Sequence, residues 1–261
     1  MGPLSAESGG RCMREVPRID IEVFRSLRHV TVIRRPYRGD LIVLGSAQAL
    51  DILADSHVPA VRRHGGGGAV LATASMRWVE IWIPSHSVLH HASPSDGLAV
   101  AGEVWRSALA ILGAKGLVAA RVRQSSPSVA VCFAGVGHGE VLDADGAKLV
   151  GLTAWRSREG SLYQGAVYQA MDLSLPSLLA VGVKARQPLD RALANNATDL
   201  DRTIGDHVST EHINDAITKV LAHKLGSERL GASMMAEAPG GLVVTEGTRA
   251  DATDSLVQGG P

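Results

Sequence analysis

Two arginines that run directly into four glycines form the stretch of the chain best suited to hold an anion. Arg62 and Arg63 carry fixed positive charge, and after His64 the chain continues as Gly65, Gly66, Gly67, Gly68, Ala69 and Val70. Glycines let the backbone approach a ligand closely, and free amides beside arginines suit a phosphate or carboxylate. A flexible surface turn explains the glycines alone equally well. The spacing matches neither the Gly-x-Gly-x-x-Gly nor the Gly-Lys-Ser/Thr nucleotide fingerprint.

Two further residues have side chains that could take part in catalysis. Lys148 lies between glycines in a predicted hairpin, and Cys132 precedes it by sixteen positions at the end of a predicted apolar strand. Taken alone, a hairpin lysine is more often a solvated side chain, and a cysteine that ends an apolar strand is often inert core. Both residues therefore need additional evidence before they can be assigned a role.

A group of histidines, His86, His90 and His91, invites comparison with a metal site. They lie in a Ser- and Pro-rich loop, without a carboxylate or cysteine in a recognisable ligand pattern. We therefore interpret this segment as a solvated loop and predict no metal site.

Composition excludes several classes of protein. The chain has 261 residues, with 26 Lys and Arg balanced by 26 Asp and Glu, so no net field attracts nucleic acid or an anionic membrane. Its two cysteines, Cys12 and Cys132, are far apart in the sequence, which argues against a disulfide framework and favours a reducing cytoplasm. No apolar run is long enough to span a bilayer, and residues 1–18 lack a signal-peptide core.

Hydrophobic periodicity predicts a β-rich first part and a helical end. We expect a hairpin from residues 30–35 and 41–45, a short helix at 47–54, and a helix from about 96 to 113. Further strands are predicted at 69–73, 78–83, 117–122, 129–133 and 162–171, with a hairpin at 140–152 and a helix at 210–225. Residues 1–20 are predicted to be a disordered leader, 21–226 one folded domain, and 227–261 a loose tail.

One predicted strand contains two of the four tryptophans. Alternation along the strand places Trp78, Glu80 and Trp82 on one face and Val79 and Ile81 on the other. We expect plain sheet packing for the tryptophans rather than contact with a ligand.

Three stretches in order resemble the catalytic domain shared by lipoate-protein ligases, biotin-protein ligases and octanoyltransferases, most closely the lipoate-protein ligase A branch. Residues 41–48 are similar to a strand that ends in Leu-Gly-x-x-Gln, and residues 62–70 to the signature Arg-Arg-x-Ser-Gly-Gly-Gly-Ala-Val. Residues 146–151 are similar to a Gly-x-Lys-x-x-Gly hairpin that carries an essential lysine. Two departures are Gly65, where the signature has Ser, and residues 71–78, which replace a His-Asp-x-Gly-Asp-Leu continuation.

The resemblance implies an α+β fold with a mixed, mostly antiparallel sheet flanked by helices, related to class II aminoacyl-tRNA synthetases. It implies attachment of a lipoyl or octanoyl group to a carrier lysine through an acyl-adenylate, with ATP and Mg²⁺ as substrates. Expected partners are the lipoyl domains of 2-oxoacid dehydrogenase complexes or the glycine cleavage H protein, without nucleic acid or membrane. Lys148 would be catalytic, and Val70, Val79 and Ile81 would line an acyl slot. The residues that would bind the substrate or adenylate are Arg62, Arg63, Gly65, Gly66, Gly67, Gly68, Ala69, Val70 and Gly151.

Two other functions fit the same residues. Cys132 lies where one group of octanoyltransferases keeps an acyl-accepting thiol, so the chain could take octanoate from acyl carrier protein without ATP. A non-catalytic relative that binds a lipoyl or biotinyl group is the third possibility. The presence of both Arg62-Arg63 and Lys148 favours an enzyme, and the form of the glycine loop favours a ligase.

Overall fold

The computed structural model describes Arg18 and residues 21–37, 39–54, 57–120, 130–236 and 242–243. Apart from Arg18, the predicted leader lies outside the described residues, as does most of the predicted tail. The helices are α1 (Glu22–Ser26), α2 (Pro94–Ile111), α3 (Val183–Asn196), α4 (Leu200–Thr203) and α5 (Thr210–Leu225). The strands are β1 (Thr31–Arg34), β2 (Leu41–Leu44), β3 (Ala60–Arg62), β4 (Val70–Ala72), β5 (Met76–Pro84), β6 (Val118–Ala119), β7 (Val141–Leu142), β8 (Lys148–Arg156), β9 (Gly160–Tyr168), β10 (Met234–Ala236) and β11 (Leu242–Val243).

The strands form one large and one small sheet. The large sheet has the order β11-β10-β1-β5-β9-β8-β7-β6 and is antiparallel except where β1 pairs with β10. The small sheet has the order β3-β2-β4, with β2 and β3 parallel. This is the mixed, mostly antiparallel α+β architecture that the sequence predicts.

Helices α2 and α5 cover one face of the large sheet. Both begin at a serine N-cap: Ser93 accepts a hydrogen bond from the amide of Asp96, and Ser209 accepts one from the amide of His212. The apolar positions of the two helices form one core with Val79 and Ile81 of β5. Because side chains alternate along a strand, the opposite face is left for Trp78 and Glu80.

Three local predictions are wrong. Strands β1 and β2 do not form a hairpin, because β1 pairs with β5 and β10 in the large sheet whereas β2 pairs with β3 and β4. The predicted helix at 47–54 is only a 3₁₀ turn, Leu50–Ile52. At the predicted strand 129–133, Val131 makes one bridge to Ala69 and the chain then turns into a 3₁₀ segment, Cys132–Ala134, while residue 129 lies outside the described residues.

Two short strands, β10 and β11, lie in the segment predicted as a loose tail. Strand β10 pairs in parallel with β1, and β11 extends the sheet beyond it. In the described part of the chain, no helix combines the length and the apolar composition that crossing a membrane requires.

Candidate active site

A cavity of about 480 Å³ opens on the face of the large sheet that α2 and α5 leave uncovered. Its floor is formed by three residues that lie side by side on neighbouring strands. Ala166 of β9 pairs with Trp78 of β5 on one side and with Gly151 of β8 on the other. Two of these residues are small, so the floor leaves space above the sheet. The walls are formed by the residues 66–68, the first turn of α2 and the segment 132–138.

The glycine loop, Gly65–Gly68, is held by its carbonyl groups. The Gly65 carbonyl accepts from the Ser46 amide at 2.9 Å, and the Gly66 and Gly68 carbonyls accept from Arg63 Nη2 at 2.7 and 2.8 Å. Among the described residues, no group accepts a hydrogen bond from the amides of Gly66, Gly67 or Gly68. These three glycines line the cavity, so their amides are available to an anion there.

The two arginines organise the loop from behind. Arg62 Nη1 donates to the carbonyls of Gly45, Ser46 and Gln48 and does not line the cavity. Arg63 is 1% exposed, and besides its two loop carbonyls it donates to Val43 O at 3.1 Å. Burial lowers the pKa of Arg63 below its usual value, although a guanidinium remains charged.

The turn after β2 and the glycine loop pack as one unit. Gly45 lies so close to Gly67 that a Cβ at position 45 would overlap the Gly67 carbonyl. Gly67 itself has a φ of 95°, which a residue with a side chain rarely adopts. Gln48 Oε1 accepts from the Gly45 amide at 2.9 Å, and its Nε2 donates to Ala130 O at 3.1 Å. The first two sequence motifs therefore meet in space.

Lys148 is buried in the lining of the cavity. It is 1% exposed, and its Nζ lies 2.9 Å from Glu140 Oε2 and 3.8 Å from Cys132 Sγ. The same Nζ donates to the Cys132 carbonyl and lies 5.2 Å from the centre of the Phe133 ring. Lys148 and Cys132 both line the cavity, and the Cys132 amide donates to the carbonyl of Ala69, the residue that follows the glycine loop.

Glu140 is the site residue that the sequence did not reveal. It is 3% exposed, and its carboxylate accepts hydrogen bonds from Lys148 Nζ and from the amides of Gly137 and Leu152. Two backbone amides fix the carboxylate, and the carboxylate in turn fixes the ammonium group. Only the spacing of eight residues from Lys148, across the β7–β8 hairpin, could have suggested the pair.

Comparison with solved structures identifies the architecture. A bipartite lipoate protein ligase from Thermoplasma acidophilum matches with a TM-score of 0.61 and 18% identity, over 81% of this chain and 78% of that one. It comes from a structural analysis of that ligase and its E2 lipoyl domain. The chain has the lipoate-protein ligase fold. A lipoate-protein ligase A bound with ATP matches with a TM-score of 0.55 and 18% identity, over 77% and 76% of the two chains.

A third structure with the lipoate-protein ligase fold is a putative lipoate protein ligase from T. acidophilum with bound lipoic acid. It matches with a TM-score of 0.57 and 17% identity, over 81% of this chain and 80% of that one. No protein-family model matches the sequence, and no curated protein sequence matches it.

Within the lipoate-protein ligase fold, most of the predicted site residues line one cavity. Those that do are Arg63, Gly66, Gly67, Gly68, Val70, Cys132, Lys148 and Gly151. Arg62, Gly65 and Ala69 support the loop without lining the cavity.

The predicted acyl slot needs correction. Val70 lines the cavity, but Val79 and Ile81 do not, because they point to the opposite face of the sheet and pack in the core beneath α2 and α5. Trp82 packs in a core cluster, as expected, whereas Trp78 also forms part of the cavity floor. The apolar lining of the cavity comes mainly from Val70, Trp78, Leu98, Phe133, Val136, Leu152 and Ala166.

Proposed function

We propose that this protein is an acyl ligase of the lipoate-protein ligase type, which attaches a lipoyl or octanoyl group to a carrier lysine through an acyl-adenylate. The observation that carries the proposal is that two features line the same cavity: buried Lys148, and the glycine loop, whose amides at residues 66–68 have no hydrogen-bond acceptor among the described residues. One polar side of the cavity suits phosphates and a carboxylate, and the apolar lining suits an acyl chain. The ATP-bound and lipoate-bound proteins of the same fold support this reading.

The first step would join the acid to ATP. A carboxylate oxygen of the acid forms a bond to the α-phosphorus, the bond from that phosphorus to the bridging oxygen breaks, and pyrophosphate leaves. The amides of Gly66, Gly67 and Gly68 would bind phosphate oxygens, with Mg²⁺ entering as the Mg-ATP complex. Lys148 would place its positive charge where the substrate carboxylate and the α-phosphate meet.

The second step would transfer the acyl group. The neutral amine of the carrier lysine attacks the acyl carbonyl, negative charge builds on the carbonyl oxygen, and AMP leaves as the amide forms. Lys148 would donate a hydrogen bond to that oxygen, held in place by Glu140. We propose a lipoyl domain of a 2-oxoacid dehydrogenase complex or the glycine cleavage H protein as the acceptor. The T. acidophilum ligase of the same fold was studied with its E2 lipoyl domain, which supports this choice.

The test compares Lys148→Ala with Lys115→Ala, which removes an exposed lysine distant from the cavity lining. Lipoate-dependent release of pyrophosphate and transfer to an apo lipoyl domain are measured for both. Loss of a single such donor costs about 3 kcal/mol of barrier, so Lys148→Ala should be slower by at least about 100-fold. Because it leaves Glu140 unpaired, folding is checked by near-UV circular dichroism. Undiminished turnover of a folded Lys148→Ala protein would refute the assignment.

A second candidate rests on the position of Cys132. Its thiol lines the cavity, is partly exposed, and lies 3.8 Å from Lys148 Nζ. In an octanoyltransferase, the thiolate would attack the thioester of octanoyl acyl carrier protein, the carrier thiol would leave, and the acceptor lysine would then displace Cys132. Cys132→Ser separates the two functions: a ligase keeps its ATP-dependent activity, whereas a transferase loses an octanoyl thioester that mass spectrometry detects on the wild-type protein.

A further inference from the structure

Thr153 of β8 occupies the space beside the glycine loop into which a side chain at position 65 would extend. A Cβ on Gly65 would overlap Thr153 Oγ1 and would lie 2.7 Å from its Cγ2. Gly65 has no positive φ, so the neighbouring threonine, rather than the backbone conformation, excludes a side chain at that position. The hydroxyl of Thr153 donates to the Gly66 carbonyl at 3.1 Å, and Thr153 lines the cavity.

This hydrogen bond is one of two that hold the orientation of the Gly66–Gly67 peptide group. A trans peptide is planar, so the amide of Gly67 points away from the donors that hold the Gly66 carbonyl. Those donors are Arg63 Nη2 at 2.7 Å and Thr153 Oγ1 at 3.1 Å. Arg63 also donates hydrogen bonds to the carbonyls of Val43 and Gly68. Among the described residues, the Thr153 hydroxyl donates only to the Gly66 carbonyl.

We propose that Thr153 is a positioning residue, which holds the Gly66–Gly67 peptide so that the Gly67 amide remains presented to a phosphate in the cavity. The inference rests on the proposed function, because that function supplies the phosphate ligand as Mg-ATP. The signature that residues 62–70 resemble has a serine at the position of Gly65, whereas in this chain the hydroxyl beside that position belongs to Thr153 of β8. Thr153 touches the loop rather than the reacting atoms, so its effect is on binding of the phosphate more than on the chemical step.

The first test uses Thr153→Val, which keeps the shape and removes the hydroxyl, and Thr153→Ser, which restores it. Loss of one hydrogen bond of this kind should raise the Kd for Mg-ATP about fivefold in Thr153→Val. The KM for ATP should rise similarly while kcat changes less than twofold, and Thr153→Ser should stay within about twofold of wild type. A purely structural role would lower the melting temperature without this split. An unchanged Kd in folded Thr153→Val would overturn the proposal.

The second test moves the hydroxyl from the strand to the loop. Gly65→Ser should lower the melting temperature and raise the Kd for Mg-ATP more than tenfold, because the new Cβ collides with Thr153. Thr153→Ala added to Gly65→Ser removes the colliding atoms, so it should recover most of the loss in melting temperature and return the Kd to about the fivefold increase expected for loss of the Thr153 hydroxyl. Additive losses in the double variant would show that the two positions do not compete for one space, which would contradict the geometry.

A nuclear magnetic resonance titration separates failure of this inference from failure of the proposed function. Inorganic pyrophosphate is added to ¹⁵N-labelled protein, and the Gly67 amide is followed in wild type and Thr153→Val. If pyrophosphate shifts the Gly67 amide resonance less in Thr153→Val than in wild type, and the wild-type protein transfers no acyl group, the ligase function is refuted and the positioning role is kept. An active ligase whose Gly67 amide responds identically in both proteins would refute the positioning role alone.

Discussion

Replacing Glu140 by glutamine tests the buried ion pair at the centre of the site. Glu140→Gln removes one negative charge, and the side chain keeps nearly the same shape. In the native protein Lys148 Nζ lies 2.9 Å from the carboxylate, and the two side chains are 1% and 4% exposed. The variant therefore leaves an ammonium group buried without a countercharge.

The expected cost follows from that burial. Breaking a buried pair by neutralising one partner typically costs about 3 to 5 kcal/mol, because the remaining charge is not compensated. Glutamine can also accept from only some of the three donors that Glu140 serves. At about 2 to 4 °C per kcal/mol for a domain of this size, the melting temperature should fall by about 10 °C.

An exposed pair of the same length provides the matched control. Arg34 and Glu211 are 3.0 Å apart, but their side chains are 21% and 59% exposed, so Glu211→Gln should cost less than about 1 kcal/mol. Thermal and urea unfolding are measured for both variants and for Glu140→Gln/Lys148→Met, which removes both charges. We expect the double variant to lose less than the sum of the single losses. Equal effects of Glu140→Gln and Glu211→Gln, or additive losses in the double variant, would refute the reasoning.

Three further predictions concern the loop and its surroundings. Gly45→Ala should lower the melting temperature by several degrees because the new Cβ meets the backbone of Gly67, whereas Gly66→Ala, with nothing within 4 Å of its Cβ, should unfold within about 2 °C of wild type. Arg62→Lys should destabilise the protein by about 1 to 3 kcal/mol in urea, because the lysine side chain is one heavy atom shorter and cannot place its nitrogen where Arg62 Nη1 meets three carbonyls. Burial lowers the pKa of His90 below its usual 6.5, so the unfolded chain binds more protons than the folded one as the pH drops. The free energy of unfolding should therefore fall below about pH 6.5, and His90→Gln should reduce that fall.

The sequence predicts the parts of the site that depend on local pattern. The order of the turn at Gly45, the glycine loop and the Lys148 hairpin resembles the motifs of a known family, and that resemblance placed them in one fold. Alternation along β5 placed Trp78 and Val79 on opposite faces correctly. These features are readable because backbone geometry at glycines and side-chain alternation depend on neighbouring residues alone.

The sequence did not predict the parts of the fold and the site that depend on contacts between distant segments of the chain. The segments before and after residue 36 each look like one arm of a hairpin, yet they enter different sheets: β1 pairs with β5, and β2 pairs with β4. The roles of Glu140 and Thr153 follow from contacts with Lys148 and Gly66 that only the folded chain creates. Arg62 was expected to bind the anion, but its guanidinium is occupied by the carbonyls of the preceding turn.

The most direct test of the proposed function is the mass of an apo lipoyl domain after incubation with the purified protein. One mixture contains lipoate with Mg-ATP, and the other contains octanoyl acyl carrier protein without ATP. The ligase account predicts that the lipoyl domain gains the mass of one lipoyl group in the first mixture, and that AMP appears with it. A gain only in the second mixture would contradict the ligase in favour of the Cys132 transferase. No gain in either mixture would contradict both and indicate a protein that binds the group without transferring it.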